Sequence, residues 1–181
     1  MKTSVYIAIS FDGFIARKNG ELDWLPGADG EPVPDSEGED FGYNAFIQSI
    51  DTLIMGRNTF ETVMSFGQWP YKKPVIVLSS TLDKLPDDLP ATVALKCCSP
   101  EELSDELNTS GAQHLYIDGG KTIQKFLEAG LIDELIISQV PVLIGSGIPL
   151  FGPLNKDIKL NHLETTSFKN GFVQNKYTVI G

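Results

Sequence analysis

Three short turns in this 181-residue sequence combine glycine, hydroxyl and cationic residues at the ends of apolar runs. Gly56-Arg57-Asn58-Thr59 follows Thr52-Leu53-Ile54-Met55, and Ser79-Ser80-Thr81 follows Val75-Ile76-Val77-Leu78. Asp118-Gly119-Gly120-Lys121-Thr122 follows His114-Leu115-Tyr116-Ile117. Glycine lets a ligand approach the backbone, and a helix N-terminus offers free N–H groups to an anion. A guanidinium can clamp a phosphate through two parallel hydrogen bonds. Each turn alone is a weak signal. Together they point to a phosphate-bearing ligand outside the carboxyl ends of strands, where open α/β sheets bind.

Other chemistries lack their residues. There is no G-x-x-x-x-G-K-[ST] phosphate loop. Gly145-Ser146-Gly147 runs into Ile148-Pro149-Leu150, so a dinucleotide fingerprint fails at its third glycine. The two histidines, His114 and His162, fit no zinc spacing, and the deaminase signature is missing, so no metal site is expected. His114 lies in a strand pattern and reads as a packed or hydrogen-bonded residue. Cys97 and Cys98 are adjacent, too close along the chain for ordinary disulfide geometry, and read as reduced thiols.

These turns must be held by strands and helices. Continuous apolar runs suit strands covered on both faces. They occur at Val5–Ile9, Thr52–Met55, Val75–Leu78, Thr92–Leu95, His114–Ile117 and Leu135–Ile137. Helical patterns fall between them. Ser99-Pro100-Glu101-Glu102 has the composition of a capping box with proline in the first turn, and Leu103 and Leu107 supply its buried stripe. Ile123, Phe126 and Leu127 share a face before Gly130, and Phe41, Ala45, Phe46 and Ile50 do so over Asp40–Ile50. Alternation predicts one α/β domain over residues 1–181 with a mostly parallel central sheet and helices on both faces. Asn170-Gly171, within the segment Ile158–Ile180, predicts an antiparallel C-terminal hairpin.

Lys plus Arg is 14 and Asp plus Glu is 24, a net charge of −10. An acidic chain is a poor nucleic-acid partner, because affinity there comes from neutralising phosphates. No apolar run approaches the roughly 18 residues of a membrane span. The amino terminus reads as a first strand rather than a signal peptide, which suits a cytoplasmic protein. The acidity is local: Asn19 to Gly56 holds nine acids and no Lys or Arg, and the remainder nets only −1. Within it, Leu25–Asp40 is rich in proline, glycine and acids and reads as a long loop, either a lid or a solvated face.

The chain resembles the dihydrofolate-reductase-like superfamily, and within it the pyrimidine reductase (RibD C-terminal) domain of riboflavin biosynthesis and its stand-alone relatives. Ser10-Phe11-Asp12-Gly13-Phe14-Ile15-Ala16, Leu22-Asp23-Trp24, Asp51–Glu61, Trp69-Pro70, Val77–Ser80, Asp118-Gly119-Gly120 and Pro141–Phe151 carry the resemblance. It implies a three-layer sandwich, NADPH as cofactor, and hydride transfer to a small heterocyclic, carbonyl or imine substrate of the riboflavin or pteridine type. It implies that the backbone of Ala8 and Ile15 holds the nicotinamide carboxamide, and that Gly56, Arg57, Asn58 and Thr59 hold the adenosine-side phosphates. Arg57 would meet the 2′-phosphate, with Ser79 and Ser80 beside it. Gly119, Gly120, Lys121 and Thr122 would take the pyrophosphate, with a cis Gly119–Gly120 bond. It also implies a homodimer with its seam near the late strands, and the apolar Val140–Phe151 stretch could form that seam.

The proton in such chemistry needs an acid whose pKa is raised by an apolar setting. Asp40, at the start of a helical pattern, matches the superfamily's substrate-binding carboxylate, yet an Asp there is first a helix cap. Trp24 could stack on a planar heterocycle, or pin its loop to the core. Asp12 reads as fixing the turn before Gly13. An acidic loop does not welcome a phosphorylated substrate, which favours a neutral or cationic one. A non-catalytic NADPH-binding module or sensor on the same scaffold is the alternative function.

Overall fold

The computed structural model describes residues 1–28, 33 and 38–181. All six apolar runs form strands, and they share one sheet. In chain order these are β1 (Lys2–Ser10), β3 (Thr52–Gly56), β4 (Val75–Leu78), β5 (Val93–Lys96), β6 (His114–Asp118) and β7 (Glu134–Val140), all mutually parallel. β9 (Lys159–Ser167) and β10 (Val173–Ile180) form the expected hairpin, and β10 pairs antiparallel with β7. The strand order is β5-β4-β3-β6-β1-β7-β10-β9. A short antiparallel pair, β2 (Phe14–Ala16) with β8 (Ile148–Pro149), was not legible as strands; it ties the β1 exit to the segment after β7.

The connections follow from right-handed crossovers. Steps toward β5 carry α1 (Tyr43–Ser49) and α2 (Arg57–Ser65); steps toward β7 carry α3 (Pro100–Thr109) and α4 (Gly120–Glu128). Phe46 and Phe60, from α1 and α2, pack with Leu53, Met55, Val77 and Tyr116 on one face. Leu103, Leu107, Ile123 and Phe126, from α3 and α4, pack with Val5, Ile54, Ile117 and Leu135 on the other. This is the expected α/β sandwich: one sheet between two helical layers.

The helix starts differ in a way that matters for the site. α3 caps itself: Ser99 accepts from the Glu102 amide, and the Glu102 carboxylate accepts from the Ser99 amide. α2 and α4 start at Gly56 and Gly119 with no side-chain cap. The first helix is shorter than the pattern over Asp40–Ile50 suggests. Phe41 (φ 56°) and Gly42 (φ 85°) are left-handed, so helical geometry begins only at Tyr43. Left-handed φ is unusual for an aromatic residue. Here Tyr6 Oη and Gln174 Nε2 both donate to the Phe41 carbonyl, and its ring lies against Phe168 and Phe172.

Candidate active site

β3 and β6 are neighbours, with Met55 opposite Asp118, and the chain leaves them toward opposite faces of the sheet. That is the switch point at which open α/β sheets bind ligands. Two of the three glycine turns meet there. A methyl group built on Gly56 would lie 2.7 Å from Thr122 Oγ1. One built on Gly119 would collide with Thr59 Oγ1, so each helix start rests on the other. Gly120 extends the contact toward β2 and β8: its methyl would meet Ile15 Cδ1 at 2.8 Å and the Pro149 carbonyl at 3.2 Å. Gly119 has φ 89°, and that left-handed glycine alone turns the strand into α4. Among the described residues there is no cis peptide bond, so Gly119–Gly120 is trans, which corrects the cis bond implied by the resemblance.

The two amino termini of α2 and α4, both uncapped by side chains, therefore abut at the carboxyl ends of adjacent strands. Such ends carry free N–H groups and partial positive charge. Arg57 stands at the exposed edge, its guanidinium donating to Thr81 Oγ1 at 3.0 Å and lying 3.5 Å from Glu61. Ser79 Oγ accepts from the Thr81 and Leu82 amides and shapes the turn after β4, while Ser80 is exposed beside it. Asn58 and Lys121 are exposed in the first turns of α2 and α4; Thr122 is buried under Gly56. The glycines, free amides and guanidinium fit a phosphorylated dinucleotide. Ala8 lies on β1 near the Trp24 cluster rather than at these turns.

One functional candidate was missed by sequence reasoning. Asp118 ends β6 on the same face as Tyr116, since residues two apart in a strand share a side. Its Oδ1 accepts from the Gly119 amide at 2.8 Å. Burial pushes its carboxyl up to about 6, only partly offset by that hydrogen bond. Its charge reaches the phenols of Tyr43, Tyr71 and Tyr116. Burial, then that charge, raises Tyr43 to about 12 and lifts Tyr71 and Tyr116 further. The Asp-Gly-Gly motif was visible, but only its glycines drew notice. The signal for Asp118 was an acid closing an otherwise apolar strand.

Asp40 is exposed. Its carboxylate accepts from the Gly42 amide at 3.0 Å and the Asn44 amide at 2.9 Å. Those bonds hold its carboxyl below the usual range, the geometry of the capping alternative. Trp24 is 8% exposed and packs on Val140 and Phe172, the arrangement of a loop pin. Its indole N–H is buried without an acceptor among the described residues. Asp12 accepts from Ser10 Oγ and from the Ile144 and Gly145 amides, tying the β1 exit to the loop after β7. His114 bonds Ser4 and Ser49 at the far end of the sheet. Of the acidic loop, Asp29, Glu31, Asp35 and Glu37 lie outside the described residues. Among the described residues no cluster of His, Cys, Asp or Glu could hold a metal, and no helix is long and apolar enough to cross a membrane.

The sequence matches the family model of the RibD C-terminal domain over residues 2–174. It is 35% identical to the uncharacterized protein YwjB of Bacillus subtilis over 170 residues, 92% of each chain. A crystal structure from Shewanella sp. PV-4, of a protein named for riboflavin biosynthesis, superimposes over the full length of both chains with TM-score 0.91 and 41% identity. Dihydrofolate reductase from Enterococcus faecalis, solved with NADP(H), shares the fold at TM-score 0.68 and 18% identity, over 99% of this chain and 97% of that one.

Proposed function

The chain belongs to the RibD C-terminal domain family, and from that premise we propose that it is an NADPH-dependent reductase of a small heterocyclic, carbonyl or imine substrate. The observation that carries the proposal is the abutting pair of uncapped helix starts at the β3/β6 switch point, with Arg57 at the rim. In this reading the amides at Gly56–Thr59 and at Gly119–Thr122 bind the phosphates. Arg57, beside Ser79 and Ser80, takes the 2′-phosphate, and the backbone of Ala8 and Ile15 orients the nicotinamide. NADPH, when bound, supplies the hydride; the protein aligns the partners and manages the proton.

The proton falls to Asp118 in this proposal. A carboxyl titrating near 6 is protonated often enough near neutrality to donate, yet remains acidic enough to give the proton up. Asp40 lacks that poise, because its two amide partners stabilise the carboxylate. Trp24, walling the region beyond Ala8, keeps its substrate-side role as a proposal through its unpaired indole N–H. A homodimer at the Val140–Phe151 stretch also remains a proposal, supported by the exposure of Leu143 (70%) and Phe151 (43%).

The test is a thermal-shift comparison of NADPH with NADH, followed by NADPH oxidation with pyrimidinediones, dihydropteridines and simple carbonyls. A ligand that binds only the native state raises its melting point. A shift for NADPH with turnover supports the reading. A shift without oxidation across those classes supports the binding module, and no shift overturns both.

A further inference from the structure

The short strap made by β2 and β8 meets the start of α4 at two points one helical turn apart. Gly120 and Gln124 are four residues apart, so they share a face of α4. On that face a methyl on Gly120 would meet Ile15 Cδ1 and the Pro149 carbonyl. One turn on, Gln124 Nε2 donates to the Pro149 carbonyl at 3.2 Å and to the Leu150 carbonyl at 3.0 Å. An amide that faces two carbonyls must present its NH₂, so both of its donors are spent on the strap. Gly152 closes over the other side of the amide: a methyl there would lie 2.9 Å from Gln124 Oε1. Among the described residues, Gln124 is the α4 side chain that hydrogen-bonds this segment.

The strap is irregular at the residue that lies on Gly120. Phe14 pairs with Pro149 and Ala16 with Ile148, so Ile15 is the extra residue of a β-bulge. The extra residue of a bulge stands outside the regular ladder, and Pro149 on the facing strand has no N–H to give. The ladder therefore leaves backbone at Ile15 for an outside partner. It also fixes Ile15 weakly, because β2 has three residues and β8 has two, and so short a ribbon is marginal alone. The place of Ile15 depends on what the strap is tied to, and on the α4 side the tie is Gln124. On the reductase reading, on which this step rests, the start of α4 takes the pyrophosphate and the Ile15 backbone takes the carboxamide. We infer that Gln124 is a positioning residue: by bonding the strap to α4 it sets the distance between those two contacts, and so registers the nicotinamide end of the cofactor against its phosphate end. A misplacement of about 1 Å can cost on the order of 100-fold in rate, which is why a tie outside the reacting atoms matters.

The experiment compares NADPH with 2′-phospho-ADP-ribose, which keeps the adenosine and the phosphates but lacks the nicotinamide. Calorimetry measures both on the wild type, Gln124→Leu, Gln124→Glu and Gln124→Lys, and a melting curve shows that each variant is folded. Gln124→Leu removes the donors, Gln124→Glu keeps the shape but turns acceptors toward two carbonyls, and Gln124→Lys restores a donor. Wild type should bind NADPH more tightly than the truncated nucleotide. In Gln124→Leu and Gln124→Glu that preference should fall by about fivefold or more, the scale of one net hydrogen bond, while affinity for 2′-phospho-ADP-ribose stays within about twofold of wild type. Gln124→Lys should recover most of the preference. Parallel losses for the two nucleotides, an unchanged preference, or a Gln124→Lys variant no better than Gln124→Leu overturns the role of Gln124. A wild type that binds both nucleotides equally overturns it too, and leaves phosphate binding at the turns standing. A wild type that binds neither removes the reductase reading, and this role with it.

Discussion

Gly56 and Thr122 are in contact across the switch point: a methyl on the glycine would approach the threonine hydroxyl to 2.7 Å. The start of α4 is thereby seated on the start of α2, and together with the Gly119–Thr59 contact this fixes the spacing of two sets of free amides through residues far apart in sequence. A built-in spacing of that kind is what a ligand with several phosphates needs, since it is set before the ligand arrives.

Gly56→Ala should destabilise the fold by about 1–3 kcal/mol, the usual range for overpacking. Adding Thr122→Ala should recover much of the loss, because the two substitutions share one contact. Urea denaturation of the wild type, both single variants and the double variant measures this. Strict additivity would show that the crowding at Thr122 is not the cause.

Arg57→Ala should weaken NADPH by roughly 1.5–3 kcal/mol, the range for a hydrogen bond to a charged group, and leave NADH nearly unchanged. Calorimetry with both nucleotides reads the difference. Equal losses for the two would remove Arg57 from the 2′-phosphate.

Asp118 sets a pH signature in stability. Its folded carboxyl is raised to about 6 from the ordinary 3.8, so between these values the folded state holds the proton that the unfolded chain has released. Native stability therefore falls as pH rises through this window. Asp118→Asn cannot ionise, and should be more stable than wild type above pH 6 by about 3 kcal/mol, on the order of two pKa units. The gap should close toward pH 4. A gap independent of pH would mean that Asp118 is not the titrating group. In turnover the same variant should lose kcat while still binding NADPH.

Glu134 gives the opposite sign. Burial pushes its carboxyl up, but the Lys2 and Lys176 ammonium groups and Ser4 Oγ outweigh burial and hold it below its ordinary value. Its contribution is therefore present above about pH 4.5, the unfolded range, and is lost as pH falls through the folded value. Glu134→Gln should cost about 1–3 kcal/mol at pH 7 and much less in acid. Chemical denaturation at pH 7 and below pH 4 checks it.

The two roles considered for Asp40 separate experimentally. As a cap it should cost about 1 kcal/mol when replaced by Ala, with kcat held within about twofold. A large loss of kcat at unchanged stability would return Asp40 to the catalytic role.

The layers were legible because hydrophobic period is local. Runs such as Val75–Leu78 are apolar on both sides, and a strand of that kind must be covered twice. Ser99 and Glu102 announced the start of α3 for the same reason: a capping box is complete within four residues. The hairpin turn at Asn170-Gly171 is equally local. The start of α1 was less legible, because Phe41 is held left-handed by Tyr6, Gln174, Phe168 and Phe172, none of them its sequence neighbours.

By itself, then, the sequence determined the sandwich, the three glycine and hydroxyl turns, the location of the acidity and the family likeness, since each depends on residue types at short spacing. Only the tertiary structure decided that Gly56 meets Thr122 and Gly119 meets Thr59, that Asp40 spends both oxygens on backbone amides, and that Asp118 is the carboxyl with a raised pKa. The reason is physical: a carboxyl's proton affinity is set by the water it loses and the charges it faces. For Asp118 the loss of water dominates and outweighs the one hydrogen bond from its neighbour Gly119, and that burial comes from the assembled fold, which no local pattern encodes.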